Sequence, residues 1–262
     1  TCTGTAWKVG QEQLCDFLCF RKFFEKSTMS STEIVIVTGA SSGIGLKLCE
    51  KLLDAGHTVL GISRRDPSKV LRRQSKFRHL RLDLANTNFV HSLDDYLDKL
   101  EPNIRFSGFI HCAGISVISE LCKTDDAGLI AQTNVNFLSA MLILRRIFQK
   151  FSKNHARNIF IGSRARRFSF LGGGPYCSSK AALHSLNDCL ALEMRANGLN
   201  VGTTIFEFGT VGTGFAGVEV TEKQIDVGGA AELVFDTFQS SVSDYDTRII
   251  EVVPSVRRLN VE

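Results

Sequence analysis

Several absences narrow the function classes before any motif is considered. The 262-residue chain has a formal net charge of only +4 and no lysine or arginine blocks, so no nucleic-acid role is expected. Its eight cysteines form no CxxC pair and are too sparse for a secreted disulfide scaffold, which indicates reduced thiols and a cytoplasmic protein. No run of about 18 apolar residues occurs, so no membrane span is expected. We also predict no metal site.

What is present is an alternation of short apolar strands and amphipathic helices. A β-branched run at 33–38 leads into a glycine-rich turn, after which Ile44, Leu48 and Leu52 recur at helical spacing. The alternation predicts further strands near 57–63, 78–82, 106–112, 158–161, 199–206 and 248–253, and helices near 87–100, 125–151, 176–197 and 222–239. It predicts an α/β fold in a single domain, a doubly wound parallel sheet of Rossmann type in a three-layer αβα arrangement.

Residues 1–30 do not follow this alternation. Leu14, Phe17 and Leu18 begin a broad apolar helical face, which Asp16 interrupts. We interpret the segment either as a helical extension that contacts the body, a partner subunit or a membrane surface, or as vector-derived or upstream-coded sequence. The predicted organisation is thus an extension at 1–30 and a Rossmann-type domain at 31–262.

The glycine turn reads TGASSGIG at 38–45. Glycine admits positive φ and has no Cβ, so backbone N–H groups and the positive end of the next helix can approach a pyrophosphate. A glycine turn alone is also consistent with a tight connection, but a strand before it and a helix after it favour a dinucleotide site. The candidate contacts here are Gly39, Ser41, Ser42, Gly43, Ile44 and Gly45.

Three polar residues further along the chain form a candidate chemical site. Tyr176 follows Ser163 by thirteen residues and precedes Lys180 by four. Lys180 lies one helical turn after Tyr176, so its ammonium is expected to lower the phenol pKa from its usual value of about 10. Ser163 can donate to a carbonyl oxygen on which negative charge develops. With the glycine turn, this set indicates a nicotinamide-dependent oxidoreductase.

Together, TGASSGIG at 38–45 and YCSSK at 176–180 resemble the short-chain dehydrogenase/reductase family, over about residues 33–253. The resemblance implies hydride transfer between NAD(P)(H) and a small-molecule ketone or secondary alcohol, with Tyr176 as acid and base. It also implies that Lys180 holds the nicotinamide ribose and that the protein is a homo-oligomer, a dimer or tetramer. Asn134 is then the fourth catalytic residue, although an asparagine there can also serve backbone groups only.

The resemblance assigns further cofactor contacts. Asp83 and Leu84 match the segment that contacts the adenine, although Asp83 is also suited to capping the following turn. The HCAG segment matches the family's N-N-A-G only in Ala113 and Gly114. The FGTVGT segment at 208–213 resembles P-G-x-V-x-T, which implies that Val211 and Thr213 hold the nicotinamide carboxamide.

Cofactor choice depends on the end of the second strand, which reads GISRR at 61–65. An acid there would bind the ribose 2′-hydroxyl of NAD, whereas a base would bind the 2′-phosphate of NADP. Ser63 stands at the position of the acid and Arg64 follows it, so we predict NADP(H). The alternative is that both arginines are only solvated. Ser42 stands where the family often has a second base.

The substrate end is less determined. Arg164, Arg166 and Arg167 are either an anion-binding group or a solvated basic surface. A short lid is expected at 214–221, and five aromatic residues either line an apolar pocket or fill the core, namely Phe168, Phe170, Phe206, Phe208 and Phe215. Two other functions remain open on this fold, a cofactor-binding regulator or scaffold and an epimerase or dehydratase that oxidises its substrate transiently.

Overall fold

The structure is a computed structural model, and it describes residues 32–101, 103–151, 156–199, 201–217, 219–240 and 247–253. The chain divides into two compact units, Thr1–Ser31 and Thr32–Glu262, and every described residue belongs to the second. The predicted extension at 1–30 lies outside the described residues, so its role stays a prediction.

Seven parallel strands form a single sheet in the order β3-β2-β1-β4-β5-β6-β7. The strands are β1 Glu33–Thr38, β2 Thr58–Ser63, β3 Phe77–Arg81, β4 Arg105–His111, β5 Ala156–Ile161, β6 Val201–Phe208 and β7 Thr247–Val252. The order reverses between β1 and β4, and in such a sheet the crevice at that reversal is the usual ligand site. The predicted doubly wound parallel sheet is confirmed.

The helices are α1 Gly43–Asp54, α2 Lys69–Arg72, α3 Phe89–Asp98, α4 Asp126–Thr133, α5 Ser139–Lys150, α6 Gly174–Ala196 and α7 Val227–Gln239. The long helix predicted at 125–151 is present, but a π-helical turn, Asn134–Leu138, joins α4 to α5. The predicted start of the last helix at 222 was too early. That helix begins at Val227 because the Asp226 carboxylate caps it, accepting from the Gly229 N–H at 2.7 Å.

Two hydrophobic clusters cover the two faces of the sheet. Alternate β1 residues point to opposite sides, so Ile34 and Ile36 join one cluster and Val35 and Val37 join the other. The first cluster is completed by α3, α5 and α6, and the second by α1 and α7. The three-layer arrangement therefore follows from near-continuous apolar strands that need cover on both faces.

Among the described residues, one helix is long and apolar enough to cross a membrane by length and composition, the continuous segment Asp126–Lys150. Ile143, Leu144 and Ile147 on this helix are buried within the first cluster. A core helix of an α/β sandwich meets the same criterion, so the segment is not a clear membrane span.

Candidate active site

A cleft of about 1170 Å³ runs along the carboxyl edge of the sheet. The strand ends are level there, because Thr38 is in register with both Ile62 and His111. The cleft is lined by every site residue predicted from the sequence except Asn134, namely Gly39, Ser41, Ser42, Gly43, Ile44, Gly45, Ser63, Arg64, Asp83, Leu84, Ala113, Gly114, Ser163, Tyr176, Lys180, Val211 and Thr213.

Two glycines of the turn at 38–45, Gly39 and Gly45, have no space for a side chain. Gly39 has φ +71°, and a Cβ on it would lie 2.9 Å from the Ala113 nitrogen. A Cβ on Gly45 would lie 2.5 Å from the Gly39 carbonyl oxygen. The first turn of α1 thus lies directly against the residues that follow β1 and β4, and it lines the cleft, where a helix N-terminus favours an anionic ligand.

Beside the turn, the two arginines after β2 are exposed and differ in their contacts. Arg65 Nη2 donates to Ser42 Oγ at 3.0 Å, so its guanidinium reaches into the glycine turn. Ser63 is buried, and its hydroxyl donates to the Arg65 carbonyl at 2.8 Å. No carboxylate of the described residues lies within 4.0 Å of the Arg64 or Arg65 guanidinium. Sequence reasoning missed the contact between Arg65 and Ser42.

Asp83 lines the cleft and also shapes its own loop. Its carboxylate accepts from the Ala85 N–H at 3.1 Å, an interaction typical of a turn. The turn-capping interpretation is confirmed, and the contact between Asp83 and the adenine stays a prediction, since one carboxylate oxygen suffices for the turn.

His111, where the related motif has an asparagine, supports the loop after β4. Thr38 Oγ1 lies 2.9 Å from His111 Nδ1 and accepts from the Ala113 N–H at 3.1 Å. Burial, followed by the charge of Lys180, lowers the His111 pKa to about 3, so the imidazole is neutral. A neutral ring that accepts the threonine proton at Nδ1 holds β4 to β1 at the centre of the cleft.

The candidate acid and base, Tyr176, is partly buried beside the Ser163 hydroxyl. Burial raises the Tyr176 pKa above its usual value, and the hydrogen bond with the Ser163 side chain opposes that rise. The sequence predicts that the Lys180 ammonium lowers the Tyr176 pKa. The structure contradicts this prediction, because the effect of burial is not offset by the Lys180 cation. Lys180 Nζ lies 5.9 Å from the centroid of the Tyr176 ring.

Lys180 is itself perturbed. Burial lowers its pKa from 10.5 to about 8, and Cys112 acts in the opposite direction. Its ammonium donates to the Ile161 carbonyl at 2.8 Å, at the end of β5. The lysine is thus fixed at the floor of the cleft, one helical turn from Tyr176.

The structure separates the two asparagines of the π-helical turn. Asn134 Nδ2 donates to the Ala85 carbonyl at 2.7 Å, on the side of β3. Asn136 is fully buried, bonds both backbone groups of Ile115 and donates to Ser179 Oγ at 3.0 Å. Asn136 is therefore the asparagine that supports the loop after β4 and the helix carrying Tyr176, while Asn134 serves a backbone carbonyl. The two positions lie only two residues apart, so the motif alone did not distinguish them.

Comparison with known proteins identifies the family of the chain. The family model for short chain dehydrogenases matches residues 33–224. The chain belongs to the short-chain dehydrogenase family. It is 30% identical over 201 residues to a 3beta-hydroxysteroid dehydrogenase of Caenorhabditis elegans, with 71% of this chain and 51% of that protein covered. It is 29% identical over 192 residues to a benzil reductase of Bacillus cereus, with 68% and 76% covered.

Solved structures show the same fold. A closed form of serine dehydrogenase complexed with NADP+ has a TM-score of 0.73 at 21% identity, covering 87% of this chain and 99% of that one. A 4-hydroxyisoleucine dehydrogenase complexed with NADH and succinate has a TM-score of 0.74 at 17% identity, covering 84% and 98%. The chain spans about half the length of the C. elegans relative.

At the substrate end of this short-chain dehydrogenase, the arginines after Ser163 are neither free nor simply solvated. Arg166 and Arg167 both pair with the fully buried Glu207 of β6. Arg167 also pairs with Glu251 of β7 at 2.8 Å, and Arg164 Nε lies 2.9 Å from the same carboxylate. Both interpretations made from the sequence were therefore incomplete, because the acidic partners lie on distant strands.

The imidazole of His184 on α6 lies beside this ion-pair network, with Nε2 at 3.0 Å from Glu207 Oε1. Burial and then the charge of Arg166 lower its pKa to about 4, so the ring is neutral near pH 7. The network joins the turn that carries Ser163 to β6, β7 and α6.

The five aromatic residues divide between core and cleft. Phe206 and Phe208 are buried, although Phe208 also reaches the cleft, whereas Phe168, Phe170 and Phe215 line the cleft and are partly exposed. Because α7 begins late, the segment between Thr213 and Val227 is longer than the short lid predicted at 214–221.

Proposed function

We propose that the protein is an NADP(H)-dependent oxidoreductase that interconverts a ketone and a secondary alcohol, with Tyr176 as the acid and base. The observation that carries the proposal is the convergence of Ser163, Tyr176 and Lys180 at the centre of the cleft. Chemistry of this class is what the family performs on CH–OH and C=O groups.

The site residues have distinct tasks in this proposal. The Ser163 hydroxyl donates to the carbonyl oxygen and so stabilises the negative charge that develops on it. The Tyr176 phenol gives its proton to that oxygen during reduction and takes it back during oxidation. The Lys180 side chain would hold the nicotinamide ribose, as the family resemblance implies, and Asn136 holds the loop after β4 against α6. In this proposal Asn134 supports the loop at Ala85 by donating to its carbonyl, and it takes no part in the proton transfer.

The chain fits a dinucleotide on its own geometry. Because Gly45 has no side chain, the first turn of α1 packs directly against Gly39, and the open end of α1 lies at the cleft, where a pyrophosphate would meet its N–H groups. The Gly39–Gly45 turn would hold the pyrophosphate, Asp83 and Leu84 the adenine, and Val211 and Thr213 the carboxamide. The nicotinamide supplies or accepts the hydride when the cofactor is bound.

The choice of NADP(H) over NAD(H) rests on charge. Two guanidiniums without a described carboxylate partner border the cleft after β2, and a buried serine stands at the position of the ribose-binding acid. A 2′-phosphate would receive charge-assisted hydrogen bonds from such a pair.

We keep a homo-oligomer and a cytoplasmic location as proposals. Apolar side chains on two long helices remain exposed, Ile130 and Met141 before β5 and Leu192 on α6, and they suit a contact between subunits. The described cysteines are free, as expected in a reducing compartment.

The test measures NADPH oxidation over a panel of ketones. Tyr176→Phe is expected to lower turnover by roughly 10²–10⁴-fold while NADPH binding is retained. Tyr96→Phe on α3, which lies outside the cleft, is the matched control and should keep full activity. Tight NADPH binding without turnover would favour a regulator or scaffold. Product formation without net NADPH loss would favour an epimerase or dehydratase.

A further inference from the structure

The cleft beyond Tyr176 is bordered by three loops that each bring large apolar side chains to its mouth. Ile118 comes from the loop after β4, Phe168 and Phe170 from the loop after β5, and Phe215 from the loop after β6. Their exposed fractions are 53%, 55%, 44% and 38%. Single exposed apolar residues are ordinary, but several that line one cleft indicate a surface that a ligand covers.

These side chains form one surface, which we call the apolar mouth (Ile118, Phe168, Phe170 and Phe215). The loops after β4 and β5 are joined by the Ser119 N–H, which donates to the Gly172 carbonyl at 3.0 Å. The Phe215 ring lies 6.1 Å from the Tyr176 ring, centroid to centroid. The apolar mouth therefore begins at the reacting phenol and extends outward to solvent.

The arginine charge at this end of the cleft is already balanced. Arg164 lines the cleft, but its guanidinium pairs with Glu251 and lies 4.8 Å from the centre of the Phe168 ring. Lys180 donates to the Ile161 carbonyl in the floor of the cleft. Arg164, the arginine that lines the cleft beside the apolar mouth, is thus not free to bind a substrate anion.

We propose that the substrate is a neutral ketone, or its alcohol, with a bulky apolar substituent that lies against the apolar mouth. This inference rests on the proposed function and adds the substrate class. Keto acids should be poor substrates, because Arg164 is already paired with Glu251 and does not bind their carboxylate. Small hydrophilic ketones should also be poor substrates, because they leave the apolar side chains of the mouth exposed to water.

The test compares methyl ketones that share one reacting group and differ in the substituent. We expect kcat/KM for 2-decanone and for 2-acetylnaphthalene to be at least about tenfold higher than for 2-butanone. The anion levulinate should have the lowest kcat/KM. A wild-type preference for levulinate or 2-butanone would overturn the proposal.

A paired variant ties the preference to the apolar mouth. Ile118→Ser with Phe170→Ser should reduce the ratio of kcat/KM for 2-decanone over 2-butanone by about tenfold or more, through KM. The control pair is Leu121→Ser with Leu171→Ser. These residues are apolar, lie in the same two loops and are even more exposed, but they lie outside the cleft, so the ratio should be unchanged. An unchanged ratio in the first pair contradicts the proposal.

Glu251→Gln tests the charge argument separately. Removal of this carboxylate releases Arg164 towards the cleft, so kcat/KM for levulinate relative to 2-butanone should rise about fivefold or more. No rise would mean that the ion pair does not exclude anions.

Binding of the same ketones to the NADPH complex, followed by nicotinamide fluorescence, distinguishes two failures. If the ketones bind in the expected order but are not turned over, the proposed reaction is wrong and the substrate class stands. If the ketones bind or are turned over in the reverse order, the substrate class is wrong and the proposed reaction stands.

Discussion

Two arginine groups follow strands that end at the cleft, one after β2 and one after β5, and they differ in how their charge is balanced. The cofactor-end arginines, Arg64 and Arg65, are exposed and lack a described carboxylate within 4.0 Å. The substrate-end arginines, Arg164, Arg166 and Arg167, pair with Glu207 and Glu251. The first group is available to a ligand, while the second group holds the protein together.

The sequence does not distinguish these groups, since each appears as adjacent basic residues just after a strand. The acid partners decide the difference, and they stand on β6 and β7, more than 39 residues along the chain. A basic cluster therefore indicates a ligand site only after its neighbours in space are known. Substitutions in both groups, and at the third cation of the cleft, Lys180, test this contrast.

The largest effect is expected at the buried centre of the substrate-end group. Glu207→Gln removes the charge that faces Arg166 and Arg167, and breaking a buried pair of this kind costs about 3 kcal/mol. The thermal midpoint should fall by roughly 6–12 °C in a domain of this size. Circular dichroism melting measures it.

Glu251→Gln is the control for that change. Its carboxylate shares Arg167 with Glu207 and also pairs with Arg164, but it is exposed, so its loss should lower the thermal midpoint much less. Equal destabilisation by the two substitutions would mean that the buried position of Glu207 has no special weight.

Lys180 is a third kind of cation in the cleft, buried and without a described carboxylate partner. Because its pKa in the folded protein is about 8, below the 10.5 of the unfolded chain, the folded state holds the ammonium at a cost of about 3 kcal/mol below pH 8. That cost disappears as the pH rises from 8 to 10.5, so stability then increases relative to a variant without the amine.

Lys180→Met is thus expected to be more stable than the wild type at pH 7, by about 2 kcal/mol once the lost hydrogen bond to Ile161 is included. The difference in thermal midpoint should narrow between pH 8 and 10.5. A gap that is constant with pH would show that Lys180 is not strained by burial. Turnover should be lost at every pH.

How far the site is predictable depends on whether its causes are local. The glycine turn was predicted correctly in position because strand, glycines and helix are contiguous and a side chain at Gly45 would collide with Gly39. Asn136 was missed because the π-helical turn changes which residues face the loop after β4. The late start of α7 depends on a single cap, Asp226. The ion pairs of Glu207 join β6 to arginines in the turn after β5, 40 and 41 residues earlier in the chain.

The smallest expected effect concerns the cofactor-end arginines. If both guanidiniums bind a 2′-phosphate, Arg64→Ala and Arg65→Ala should each weaken NADP+ binding about tenfold, or about 1.4 kcal/mol, with NAD+ binding and the thermal midpoint almost unchanged. Isothermal titration with both cofactors measures this, and Arg72→Ala is the control, since Arg72 pairs with Asp66 outside the cleft.

The two variants also separate the roles of the arginines. Arg65 already donates to Ser42, so its loss also frees the glycine turn at the pyrophosphate and should weaken NAD+ binding slightly, whereas loss of Arg64 should not. An unchanged preference for NADP+ over NAD+ in Arg64→Ala would mean that exposure and lack of a carboxylate partner do not make an arginine a phosphate ligand. The contrast between the two arginine groups would then concern stability alone.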